Sequence, residues 1–187
     1  MEKYWHDALT LDQYMDISEE RFLNNPDKND EHQEYYELGL TRLNRTLKTF
    51  KIHDEQLKRL EAKNFQGKIL IISEPWCGDA SATVPAVSKF FAAAGNEVKI
   101  FLRDSDATLI DQYLTDGTQS IPKVLILNQD FSVRNVWGPR PKYGNDLLKK
   151  FKDNQETYPR EEFYNDLQIY YAKNRGQDAI EEIINAI

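Results

Sequence analysis

The sequence predicts an α/β protein with a central mixed sheet of about four strands, flanked by helices and extended by further helices at both ends. Apolar residues recur at three- and four-residue steps in the first and last parts of the chain, which is typical of amphipathic helices. The middle instead contains short, continuous, β-prone apolar runs. Helix-like stretches follow the first two of these runs, as in parallel strands joined by right-handed crossovers.

Three helices are predicted in the first third of the chain. Thr10 can cap a helix that Asn24-Asn25-Pro26 would end. A longer helix runs from Asp30 to about Phe50, with an apolar stripe that indicates core packing. A third helix begins at His53-Asp54 and stops near Gly67. The histidines of this region, together with His6, show no metal-ligand spacing, so we expect solvated or capping roles and no metal.

The first half of the sheet is predicted from residue 68 onward. Ile69 to Ile72 is a continuous apolar run, as expected of a strand covered by helices on both faces. Apolar residues at helical spacing follow from Val84 to Ala94, and Gly95 can end that helix. A second strand is predicted at Val98 to Leu102, with a helix after it from about Asp106 to Leu114.

The second half of the sheet is predicted to be an antiparallel hairpin. Val124 to Leu127 and Val133 to Trp137 are separated by a short polar connection, which favours a tight turn. Arg134 and Asn135 lie in the middle of the second run, so that strand is expected at a sheet edge. Helices are then predicted around Leu147 to Phe151, after Pro159, and from Ile180 to Ile184 beyond a break at Gly176.

One domain is expected to span residues 1–187, because there are no repeats and no low-complexity linkers. Residues 1–66 would form an N-terminal helical extension with the first core helix. Residues 67–150 would form the core, and residues 151–187 the C-terminal helices.

Composition limits the classes of partner and the compartment. With 24 basic and 31 acidic residues the formal charge is −7, which argues against nonspecific attraction to nucleic acid or anionic lipid. No apolar run approaches the roughly 20 residues needed to span a bilayer, so no membrane partner is expected. The single cysteine cannot form an internal disulfide, and the first residues show no leader pattern, which together predict a cytoplasmic location.

The single cysteine, Cys77, is the natural candidate for chemistry because it lies where a predicted strand gives way to a predicted helix. Backbone N–H groups and the dipole at a helix start favour a thiolate, whereas the negative charge of Asp79 opposes it. We therefore expect modest activation of the thiol. The alternative is a buried cysteine that acts as a small hydrophobe with no reactivity.

Four separated motifs carry a resemblance to the thioredoxin superfamily: Trp76-Cys77-Gly78, Pro85 in the following helix, Ile121-Pro122 and Gly138. The longer motif Trp76-Cys77-Gly78-Asp79-Ala80 resembles a bacterial thioredoxin-family subgroup with a single cysteine. The resemblance implies a thioredoxin-like fold, a cis-proline at Pro122 and a catalytic Cys77. It also implies a substrate-binding rim of Trp76, Gly78, Asp79, Ile121, Pro122, Trp137, Gly138 and Arg140.

Some of these assignments have alternatives. Trp137 could equally belong to the core, because tryptophans are usually buried. Arg103 and Arg140 follow strands and could hold a carboxylate of a peptide or a thiol cofactor. More often such arginines are solvated or form surface ion pairs.

Two departures from the thioredoxin pattern narrow the chemistry that the resemblance implies. Ala80 occupies the position of the resolving cysteine, and Ile71 occupies that of the buried carboxylate that serves proton transfer. A dithiol cycle is therefore excluded.

The leading hypothesis is monothiol exchange with a protein or small-molecule disulfide, in which an external thiol frees Cys77 again. No cofactor is required, and a low-molecular-weight thiol is the candidate for that external role. The alternative is a redox-inert binding module. A less favoured alternative is glutathione or iron-sulfur binding, as in monothiol glutaredoxins. The sequence does not indicate an oligomeric state.

Overall fold

The computed structural model describes residues 1–25, 30 and 32–187. Its four-stranded sheet has the order β2-β1-β3-β4, with β1 parallel to β2 and β3 antiparallel to both of its neighbours. The strands are β1 Lys68–Ser73, β2 Val98–Leu102, β3 Lys123–Leu127 and β4 Val133–Trp137. The predicted mixed sheet is confirmed, and β4 lies at an edge, where Arg134 and Asn135 are exposed as expected.

Helices flank the sheet and extend it at both ends. They are α1 Glu2–Asp7, α2 Leu11–Asn24, α3 Gln33–Thr49, α4 Asp54–Ala62, α5 Ala80–Ala93, α6 Lys142–Asp153, α7 Arg160–Asn174 and α8 Gln177–Ala186. Thr10 caps α2 in a capping box with Gln13, as its residue type predicts, whereas α1 was not predicted. Pro26, expected to follow α2, lies outside the described residues. No helix in the described ranges is long and apolar enough to cross a membrane.

The predicted helix from Asp106 to Leu114 is wrong. The structure has only two short 3-10 turns in this region, Arg103–Ser105 and Ile110–Gln112. Asp106 is extended, and its carboxylate accepts the backbone N–H of Thr108 at 3.0 Å. Such a local side-chain bond competes with helical backbone bonds, so the segment forms a loop.

The core is built around β1, β3 and α5, whose apolar side chains are almost wholly buried. Helix α3 packs on α5, while α8 packs on α4, α5 and β4. The α6–α7 hairpin forms a smaller apolar cluster of its own, which reaches the core through Ala82 of α5. In the chain, this hairpin lies between the edge strand β4 and helix α8, which covers the core.

Candidate functional site

Cys77 lies in the loop between β1 and α5, as its sequence position predicts. Its backbone N–H donates to the carbonyl of Glu74 at 3.1 Å, and its carbonyl accepts the N–H of Ser81 at 3.2 Å. Only 7% of the residue is exposed, and Sγ donates to the carbonyl oxygen of Ile121 at 3.4 Å. The Ile121-Pro122 peptide is cis. The sulfur is therefore held against the loop that precedes β3.

Burial changes the ionisation expected for this thiol. It raises the pKa of Cys77 to about 12, and the charge of Asp79 adds to the shift. The backbone N–H groups of Ala80 and Asp79 and the charge of Arg140 oppose the shift without overcoming it. The expected modest activation is therefore wrong, because desolvation outweighs the helix start. At neutral pH Cys77 is a protonated thiol.

Asp79 joins the start of α5 to the C-terminal additions. Its carboxylate lies 2.6 Å from the guanidinium of Arg140 and accepts the hydroxyl of Tyr171 in α7 at 2.7 Å. Burial raises the pKa of Asp79, while Arg140 and Tyr171 oppose the rise. The carboxylate that acts on the thiol is thus itself fixed by two partners.

Glu74 makes a similar attachment to the N-terminal helices. Its carboxylate is fully buried, lies 2.6 Å from the guanidinium of Arg21 in α2, and accepts the backbone N–H of Asp104 at 2.8 Å. Burial raises the pKa of Glu74, and the backbone N–H of Asp104 and the guanidinium of Arg21 oppose the rise. The two ends of the Cys77 loop are therefore bonded to α2 on the N-terminal side and to α7 on the C-terminal side.

Trp76 is exposed at one edge and packed on two basic side chains. The imidazole of His32 stacks on the indole with ring centres 4.0 Å apart, and the guanidinium of Arg103 lies 4.9 Å from the ring centre. The indole Nε1–H donates to Asp104 at 3.3 Å. The expected solvated or capping role of His32 is corrected, since its ring packs on the site and makes no cap hydrogen bond.

A pocket of about 800 Å³ opens beside Cys77. Helix α3, the Cys77 loop, residues 118–121 before β3 and helix α7 supply its walls. Its basic and aromatic lining includes His32, Tyr35, Arg42, Arg103, Arg160 and Tyr164. The volume falls within the range of small-molecule sites, roughly 300–1,000 Å³.

The structure brings most of the predicted rim together. Trp76, Gly78, Asp79, Ile121 and Arg140 line the pocket with Cys77.

The other three predicted rim residues, Pro122, Trp137 and Gly138, do not line the pocket. Trp137 is 8% exposed, and its Nε1–H donates to Glu182 in α8 at 2.7 Å, as suits its alternative assignment to the core. Gly138 has φ +113°, and a Cβ there would lie 2.4 Å from the carbonyl oxygen of Pro122. Trp137 therefore packs in the core, and Gly138 lies directly against the backbone of Pro122.

Sequence reasoning missed the wall contributed by α3. Gly39 lies within this helix, where a Cβ would come 2.5 Å from the carbonyl oxygen of Pro75. The close approach places Arg42 and Tyr35 of the same helix in the pocket wall. A glycine inside an otherwise regular helix pattern was the available signal, since it often marks a close backbone contact.

The chain belongs to the thioredoxin family, whose model matches residues 25–153. Two solved structures share the fold. One is PA1234, a protein of unknown function from Pseudomonas aeruginosa, at 16% identity over 98% of this chain and 93% of that one, with a TM-score of 0.64. The other is an HIV epitope-scaffold at 15% identity over 98% of this chain and 94% of that one, with a TM-score of 0.64. No curated protein matches the chain.

Proposed function

We propose that this thioredoxin-family protein is a ligand-binding protein whose pocket beside Cys77 holds a small molecule. The observation that carries the proposal is a pocket of about 800 Å³ whose one thiol is buried and donates its proton to the Ile121 carbonyl. A thiol with a pKa of about 12 is almost entirely protonated at neutral pH, so attack on a disulfide is slow. The redox-inert alternative thus becomes the preferred one.

The surroundings of the thiol support binding over exchange. Ala80 and Ile71, which replace the second cysteine and the buried acid of the thioredoxin pattern, are both buried and apolar. In contrast, the pocket walls combine the aromatic rings of Tyr35, Trp76 and Tyr164 with several basic groups. Aromatic walls with a few polar groups are typical of sites for small organic ligands.

Nuclear magnetic resonance tests this proposal directly, because the chain has three tryptophans and only Trp76 lines the pocket. Titration with small aromatic compounds of different charge should shift the indole N–H signal of Trp76. The signals of Trp5 and Trp137, which lie in the core, should stay in place. Compounds that shift none of the pocket signals would overturn the binding proposal.

The second candidate is monothiol exchange, favoured by one observation: Cys77 lines the pocket, and the N–H groups of Asp79 and Ala80 favour its thiolate. The thiolate would attack a protein or small-molecule disulfide, form a mixed disulfide and release one thiolate. An external thiol would then attack the mixed disulfide and release Cys77. We also propose that the chain forms a single domain, belongs to the single-cysteine bacterial subgroup and is located in the cytoplasm.

A neutral disulfide separates the two candidates. Native protein and protein unfolded in urea are each mixed with excess dithiodipyridine at about pH 7.5, and release of thiopyridone is followed. A binding protein with a protonated thiol should react on the order of a thousandfold more slowly when native. Equal or faster reaction of the native protein, with a mixed disulfide on Cys77 by mass spectrometry, would establish exchange.

A further inference from the structure

We infer that the pocket beside Cys77 selects a small organic molecule with two negatively charged groups, carboxylates or phosphates. The inference rests on the proposed function, since it names the class of ligand. Four arginines line the pocket, and Asp79 is the only carboxylate among the described lining residues. The lining residues are therefore basic in a chain whose formal charge is −7. The arginines are Arg42, Arg103, Arg140 and Arg160.

Two of these arginines are already committed. Arg140 is paired with Asp79, and Arg103 is paired with Asp104 while donating to the carbonyl of Gln119 at 3.3 Å. Each pair neutralises most of its own charge. These two guanidinium groups therefore add little net positive charge and are poorly available as the main contacts of a ligand.

Arg42 is the group that most needs a partner. Its guanidinium makes no hydrogen bond or ion pair within the described part of the chain, although the residue is half-buried. Burial lowers its pKa, and the neighbouring Arg45 adds to the decrease. Its Nη1 lies 3.6 Å from where a Cβ on Gly78 would stand, so its donors reach the floor of the pocket beside the thiol loop. An incoming anion would supply the missing partner.

Arg160 provides the second contact, from the wall that helix α7 forms. It is exposed, and its guanidinium lies 5.6 Å from the ring centre of Tyr164, with no carboxylate partner among the described residues. Arg42 and Arg160 thus present two unpaired guanidinium groups from two helices. Because arginine binds carboxylate and phosphate groups through a planar pair of N–H donors, the arrangement fits a dianion.

The body of the ligand is expected to be flat or aromatic. Trp76, Tyr35 and Tyr164 all line the pocket, and an aromatic ring can stack on them while its charged ends reach the arginines. The volume suits a molecule of this size.

Three compounds with the same benzene frame test the charge selection: terephthalate, para-benzenedimethanol and para-xylylenediamine, which carry two negative charges, none and two positive charges. Binding is measured from the Trp76 indole signal. Terephthalate should bind at least about tenfold more tightly than the neutral diol, and the diamine more weakly than both. Inorganic pyrophosphate and malonate, titrated in parallel, show whether phosphate or carboxylate is the preferred group.

Two matched variants test whether Arg42 is responsible for the selection of negative charge. Arg42→Gln should weaken terephthalate binding about tenfold or more and weaken binding of the diol much less. Arg45→Gln removes the same charge from an exposed position of the same helix and should change terephthalate affinity by less than about twofold. Thermal unfolding of both variants shows that each is folded.

The outcomes distinguish the two proposals. Equal binding of the three compounds would overturn the charge selection and leave the ligand-binding proposal standing. A loss on Arg45→Gln as large as that on Arg42→Gln would also overturn it, because the effect would be general electrostatics. If none of the compounds shifts Trp76, the ligand-binding proposal fails together with the inference.

Discussion

The Cys77 loop has a buried carboxylate near each end, and the two carboxylates act differently. Glu74 pairs with Arg21 of α2, and Asp79 pairs with Arg140 and accepts a hydrogen bond from Tyr171 of α7. Burial raises the pKa of both carboxylates. Each one fastens the loop to a different helical addition, Glu74 to the N-terminal side and Asp79 to the C-terminal side.

The difference lies in what else each carboxylate faces. The Glu74 carboxylate accepts hydrogen bonds from Arg21 and from the backbone of Asp104, and it does not line the pocket beside Cys77. Asp79 lies in that pocket, where burial raises the pKa of the thiol and the charge of Asp79 adds to the rise. The same kind of charge pair therefore holds the fold on one side and also acts on the thiol of the site on the other.

The largest expected effect concerns the buried thiol beside Asp79. Alkylation of native Cys77 by iodoacetamide should rise about tenfold per pH unit from about pH 7 to pH 10, because its pKa of about 12 keeps it protonated throughout. At about pH 7.5 the native rate should be on the order of a thousandfold below that of the unfolded chain. A rate that bends near about pH 8.5 and levels off above about pH 9.5 would show an ordinary exposed thiol.

The next largest effect breaks the other pair. Arg21→Gln should lower the free energy of unfolding by about 3 kcal/mol, since it leaves a fully buried carboxylate without its cation. Urea unfolding measures the loss.

The pH dependence of that loss has a defined sign. Burial raises the pKa of Glu74 in the folded protein, so protonation of Glu74 favours the folded state. Protonation of Glu74 stabilises the fold fully below the pKa that Glu74 has in the unfolded chain. This stabilisation is lost as pH rises through the pKa of Glu74 in the folded protein. The destabilisation by Arg21→Gln should therefore shrink towards about pH 4, and a pH-independent loss would contradict it.

A third change removes the charge of Asp79 and so sharpens the comparison. Asp79→Asn should raise the alkylation rate of Cys77 at about pH 8 roughly tenfold, because it removes a negative charge and leaves Arg140 unpaired beside the thiol. Glu74→Gln should leave that rate unchanged. Asp166→Asn is the matched control, because Asp166 also accepts a tyrosine hydroxyl, from Tyr158, but does not line the pocket.

The smallest effect tests how tightly α3 closes on the loop between the two carboxylates. Gly39→Ala should destabilise the protein by about 1 kcal/mol or more in thermal unfolding, because its Cβ would stand 2.5 Å from the Pro75 carbonyl. This loss exceeds the gain in helix propensity of about 1 kcal/mol. Gly78→Ala should be tolerated, since the nearest atom would be at 3.6 Å. Equal effects of the two substitutions would contradict the close approach.

Local patterns in the sequence predicted the sheet because β1 and β3 are short continuous apolar runs and a short polar connection joins β3 to β4. The capping box of Thr10 and the opposition of Asp79 to the thiolate were likewise local features. The partner of Asp79 in α7 could not be predicted in this way, because Tyr171 approaches it only through the packing of the α6–α7 hairpin on α5. The pairing of Glu74 with Arg21 is long-range in the same sense.

The pKa of Cys77 shows the other limit of sequence reasoning. Its position at a helix start favours a thiolate, but the degree of burial depends on how α3 and the hairpin close around the loop. Desolvation is a property of that packing and has no local sequence signal. The wrongly predicted helix after β2 has a simpler cause, the local bond from Thr108 to Asp106.

The position of the α6–α7 hairpin in the chain has a consequence for the speed of folding. Residues 138–176 separate β4 from α8, although the two elements pack on each other. Bringing them together closes a long loop, which carries an entropic cost and slows the search for the native topology. Because α6 and α7 pack on each other through sequence-local contacts, their early association shortens the effective loop. We expect the hairpin that walls the pocket also to accelerate the docking of α8.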